Sequence, residues 1–168
     1  NECLPFLRTP VGLKMFLQLK PDGIAEYRNS SGGTVLHTLL ASPYIGAIAL
    51  SNILEIDGFR SLMDIRDNLG RVPLQVAYEV HKHWYYDELL EGGASANQPF
   101  AIVDSLNQIT YVSQLEYFLV VKPNIPMARY VILNGHDLYE VNGKGDKLQT
   151  LIDRMYASTV KRRFPRRK

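Results

Sequence analysis

The chain has 168 residues, 46% of them hydrophobic and 21% charged, with a formal net charge of +2. That is enough for a domain with a real core and is ordinary for a globular protein. A single cysteine, Cys3, excludes an intramolecular disulfide and suits a reducing compartment, so an intracellular place, cytoplasmic or nuclear, is expected. The most apolar segment, YIGAIALSNIL at 44–54, is too short and too polar to span a bilayer.

Residues 1–9, NECLPFLRT, lack the basic start and apolar run of a signal peptide. The chain begins with Asn rather than Met, which reads as a processed chain or a fragment of a longer one. VGLKMFLQL at 11–19 has the spacing of a helix. NSSGGTVLHTLL follows, a turn running into a second helix. Asn29 lies five residues before Thr34 and Gly32 two before it.

That frame recurs. In DNLGRVPLQVAY, Asp67 and Gly70 stand in the same relation to Val72. In NGKGDKLQTLI, Asn142 and Gly145 stand so to Lys147. Between them SLNQITYVSQLEYFLV supplies a degenerate copy, with Ser105 and Gln108 in the turn and Thr110 in frame. The anchors 34, 72, 110 and 147 are about 38 residues apart, a period of stacked supersecondary units. Later in each unit a helix closes on a glycine: NILEIDG to Gly58, ELLEGGAS to Gly93, YVILNGHD to Gly135.

The frame resembles the ankyrin repeat. DNLGRVPLQVA matches the family's D-x-x-G-x-T-P-L-H-x-A, NSSGGTVLHTL matches it more loosely, and LLEGGASAN matches its L-L-x-x-G-A-x-x-N. The units are longer than the family's usual ~33 residues, and the third is degenerate at its start. The resemblance implies an all-α fold, an ankyrin-repeat α-solenoid of stacked antiparallel helix pairs with β-hairpin-like connections. It would form a single domain over 1–158: a partial repeat at 10–28, repeats at about 29–66, 67–104 and 105–141, and a capping half repeat at 142–158. Residues 159–168 are a basic tail.

Enzyme motifs are scarce. NGKGDK lacks the spacing of a phosphate loop, and His81 and His83 in HKHW point apart on a helix with no set to complete a metal site. No catalytic residue, cofactor or metal is expected. Asn29 begins a glycosylation sequon, NSS, expected to be unused in an intracellular chain. His37 falls where the ankyrin resemblance implies a structural histidine bonded to backbone of the adjacent turn. The function expected is a non-enzymatic protein–protein interaction module that binds a partner protein through its concave face and hairpin tips. Within that class stand an IκB-like inhibitor of Rel-type transcription factors, of cellular or viral kind, a microbial effector, and the ankyrin segment of a larger regulator or enzyme.

Carried over from the resemblance, the partner-facing positions are Ser30, Ser31 and Ala41, then Asn68, Leu69, Arg71, Glu79 and Val80, then Asn107, Ile109, Tyr117 and Phe118, then Lys144, Asp146, Arg154 and Met155. Tyr117 and Phe118 read equally well as core. The tail KRRFPRRK gathers Lys161, Arg162, Arg163, Arg166, Arg167 and Lys168, and without it the chain has 13 basic against 17 acidic residues. The tail reads first as a solvated terminus, then as a nuclear-import signal, then as a contact for phosphate or acidic lipid. The acidic body argues against an extended nucleic-acid face.

Overall fold

The structure, a computed structural model, describes residues 11–12, 15, 23–42, 47–56, 58–80, 83–135 and 150. The chain divides into two compact units, Asn1–Ser95 and Ala96–Lys168.

In the first unit the described helices are α1 (Gly23–Glu26), α2 (Val35–Leu40), α3 (Ala47–Leu54), α4 (Pro73–Glu79) and α5 (His83–Glu91), with a 3-10 turn at Arg60–Leu62. Each start has a local cause. Thr34 holds extended backbone before α2, and Val72 does so before α4, whose first residue is Pro73. A proline there gives up no helical hydrogen bond and arrives with helical φ. All six residues of α2 are buried. Four of the six are apolar, and the two polar ones, His37 and Thr38, are hydrogen-bonded, so the helix sits inside the core at no unpaired polar cost. It packs on α4, α4 packs on α5, and α3 packs on α5. Leu36, Leu39, Leu50, Phe59, Leu74, Tyr85, Tyr86 and Leu89 fill the space between, all essentially sealed from water.

The second unit opens with a hairpin. Strand β1 (Phe100–Val103) pairs antiparallel with β2 (Ile109–Val112), in the register Phe100 to Val112 and Val103 to Ile109. Helix α6 (Gln114–Glu116) starts at Ser113, whose hydroxyl accepts the Glu116 N–H. It runs into one π-helical turn, Tyr117–Val121, closed by the Lys122 N–H on the Tyr117 carbonyl at 2.8 Å. Helix α7 (Ile125–Leu133) starts at Asn124, which caps the Met127 N–H. The core here is aromatic. Phe100, Tyr117 and Phe118 meet edge to face, with centroids 5.2–5.8 Å apart.

The expected all-α solenoid is therefore corrected: among the described residues the chain is mixed α/β, with a two-stranded antiparallel sheet. The reason is compositional. FAIV and ITYV are rich in β-branched and aromatic residues and flank a turn, which is a hairpin pattern rather than a helix start. Thr110, placed at a helix start by the repeat frame, lies inside β2, and the helix begins only after Ser113. The three glycine stops do hold left-handed backbone, with φ of 92° at Gly58, 109° at Gly93 and 91° at Gly135. The helix expected at 11–19 and the last one at 147–158 lie almost wholly outside the described residues.

Candidate functional site

One turn is built three times. Its first residue is Asn29, Asp67 or Asp104, at intervals of 38 and 37 residues. Asn29 Oδ1 accepts the N–H of Ser31 and Gly33 at 2.9 and 2.8 Å. Asp67 Oδ1 accepts those of Leu69 and Arg71, both at 2.9 Å. Asp104 Oδ1 accepts those of Leu106 and Gln108 at 2.8 and 2.9 Å. The first residue's N–H reaches the fifth residue's carbonyl at 2.8, 3.0 and 3.1 Å. The fourth residue has positive φ: 71° at Gly32, 73° at Gly70 and 59° at Asn107. Short Asn and Asp side chains favour this geometry because they reach their own backbone two residues on.

The third turn thus opens at Asp104, one residue before the Ser105 chosen from the repeat frame, and Asn107 takes the glycine's place. The sequence signal was present: D-S-L-N has an Asx residue and an αL-tolerant residue three apart.

In every copy positions one, four and five are occupied by the turn, while positions two and three face solvent. These are Ser30 and Ser31, Asn68 and Leu69, and Ser105 and Leu106. Leu69 is 43% exposed and Leu106 74%. Leu106 is the residue sequence reasoning missed: in the third copy Asn107 and Ile109 were chosen instead, and Asn107 turns out to hold the positive-φ position. In the first unit two copies touch: the Asn68 N–H donates to the Ser31 carbonyl at 2.9 Å.

Other expected contact residues are engaged elsewhere. Arg71 pairs with Asp67 at 2.7 Å and with Glu79 at 3.1 Å, and Gln75 donates to Glu79 at 3.0 Å. Half-burial works against the charge of Arg71, but the bonds and charge of Asp67, and then of Glu79, outweigh it and raise its guanidinium above the usual range. Arg71 and Glu79 thus brace the second turn against α4 and are not free contact groups. Tyr117, at 2% exposure, and Phe118 are core, since both rings close the aromatic cluster. Ile109 is 40% exposed on β2, Val80 is exposed after α4, and Ala41 is exposed after α2. Lys144, Asp146, Arg154, Met155, and the tail residues Lys161, Arg162, Arg163, Arg166, Arg167 and Lys168 lie outside the described residues.

His37 locks the first unit's turns to its helices. Its Nδ1 accepts from the Thr34 N–H at 3.1 Å and lies 2.9 Å from the Thr34 hydroxyl, and its Nε2 lies 3.0 Å from the Arg71 carbonyl. With Nδ1 accepting, Nε2 carries the proton and the ring is neutral. Burial lowers its affinity for a second proton below the ordinary range, against the raising effects of the Arg71 carbonyl and the Asp67 charge.

A shallow cleft of about 240 Å³ lies in the same unit, lined by Ser51, Leu54, Glu55, Arg60, Glu88 and Glu91. The Ser51 hydroxyl donates to the Glu88 carboxylate. Among the described residues no three His, Cys, Asp or Glu side chains are grouped to hold a metal ion. No helix among them is long and apolar enough to cross a membrane.

No family model matches the chain. No curated protein matches it either. Among solved structures it is similar to one described as a predatory endopeptidase from Bdellovibrio bacteriovorus in complex with an immunity protein. That match has 14% sequence identity and a TM-score of 0.50, and covers 100% of this chain and 99% of the other. At that identity the likeness concerns the fold alone.

Proposed function

We propose that the chain is a non-enzymatic module, akin to the ankyrin family, that binds a partner protein through the tips of its Asx-closed turns. One observation carries this reading: a five-residue turn is kept three times over, while its two outward side chains change from Ser-Ser to Asn-Leu to Ser-Leu. A constant frame with variable, exposed tips presents recognition residues within each unit. The frame is tied down by its own hydrogen bonds, so little order has to be gained on docking. Leu69 and Leu106 supply apolar anchor points among small polar neighbours.

The test is affinity capture of partner proteins from a lysate of the cells that express the chain, compared between wild type and the double variant Leu69→Ala, Leu106→Ala. The expected result is loss of specific capture with unchanged circular dichroism and melting temperature. Capture that survives the double variant refutes the tip assignment.

A further inference from the structure

Helix α7 is closed by an asparagine that precedes a glycine. Asn134 holds φ −95° and ψ 23°, and Gly135 turns away at φ 91°. Both residues are exposed, and a Cβ built on Gly135 would meet nothing within 4 Å. The Asn134 side-chain amide donates to the Tyr130 carbonyl at 2.9 Å. The Gly135 N–H reaches the Ile132 carbonyl at 3.3 Å, a long bond at a helix end. Every other asparagine among the described residues precedes a residue with a side chain: Ser30, Ile53, Leu69, Gln98, Gln108 or Ile125.

We propose that Asn134–Gly135 is a modification site, at which the folded chain deamidates with water as the co-reactant. The Gly135 backbone nitrogen, deprotonated by hydroxide, attacks Asn134 Cγ and closes a cyclic imide. The bond from Cγ to Nδ2 breaks, and the side-chain nitrogen leaves as ammonia. Water then opens the ring. Cleavage between the Gly135 nitrogen and Cγ gives aspartate. Cleavage between that nitrogen and the Asn134 backbone carbonyl carbon gives isoaspartate. Glycine favours the attack, because no Cβ shields its nitrogen and its backbone turns freely. The position favours it too. Helix ends fray at little cost, and the opening releases bonds to the Tyr130 and Ile132 carbonyls at the end of α7. The product weakens that end. A carboxylate replaces the donor to the Tyr130 carbonyl and stands at the negative pole of the helix. The site lies outside the Asx-closed turns, so it stands apart from the interaction reading.

The test is timed incubation of the purified full chain in mildly alkaline buffer made with heavy-oxygen water, both folded and unfolded in urea. Asn134 and Asn142 share the tryptic peptide that follows Arg129, so electron-transfer fragmentation assigns each product to its residue. The expected result is a mixture of aspartate and isoaspartate at residue 134, carrying solvent oxygen. It should form at least tenfold faster than at Asn97, Asn107 or Asn124. Its rate in the folded chain should lie within tenfold of its rate in urea. Asn134→Gln should abolish the product at that residue, and Asn134→Asp, which stands for one product, should lower the urea midpoint. A folded chain that keeps Asn134 intact while the unfolded chain loses it overturns the proposal, since the helix end then protects the amide. A rate at Asn134 no faster than at Asn97 overturns it as well. An unchanged midpoint in Asn134→Asp overturns the weakening assigned to the end of α7.

Discussion

At the fourth position of each turn a single backbone angle decides which residue is tolerated. Gly32 sits at φ 71°, and a Cβ there would stand 2.1 Å from Asn68 Oδ1. Gly32→Ala is therefore both strained and obstructed, and it should destabilise the chain by about 1–3 kcal/mol in urea denaturation. Asn107 holds φ 59° without being glycine. Asn107→Gly relieves that strain but loosens the unfolded chain, so its effect should stay within about 1 kcal/mol. His37 gives a prediction in pH. Its folded pKa is lowered by burial, so the unfolded chain binds more protons between the folded value and 6.5. The His37 contribution is present above the unfolded pKa of 6.5 and is lost as pH falls through it toward the lowered folded value. The difference in stability between wild type and His37→Gln should accordingly shrink on acidification, read from urea midpoints between pH 8 and pH 5. A difference that is flat in pH excludes the neutral, buried ring. Gln75 occupies the matching position in the second copy, which makes Gln the apt replacement.

At the scale of elements, each unit depends on a different core. The first is a layer of helices around α2, and the second hangs on Phe100, which joins β1 to Tyr117 and Phe118. Phe100→Ala removes the ring that both others meet and should cost about 3–5 kcal/mol. The loss of its edge-to-face contacts should show as a near-ultraviolet dichroism change together with a lower urea midpoint. The Arg71–Asp67–Glu79 arrangement belongs to this scale too. It looked like exposed contact chemistry because the fifth residue of such a turn, four places from its Asx partner, reads as solvent-facing in sequence. In space the guanidinium folds back on Asp67 and across to α4.

For the molecule as a whole, exposed tips and buried frame separate binding from stability. Leu69→Ala and Leu106→Ala touch none of the turn bonds, so together they should alter stability by less than about 1 kcal/mol. A melting shift larger than a few degrees would instead place those side chains in the core. What could be read in advance was whatever the chain settles locally. An Asn or Asp reaching its own amides, a proline at a helix start and a glycine that ends a helix act within a few residues, so their spacing alone located the first two turns, α4 and the three glycine stops. The hairpin had a local β-branched and aromatic pattern that the repeat frame overrode, whereas the burial of Tyr117 and the bracing role of Arg71 were decided only by the tertiary structure. The bracing and the core join residues 8 and 17 positions apart, as in Arg71 with Glu79 and Phe100 with Tyr117. Their energy depends on which surfaces come together, which no local pattern encodes.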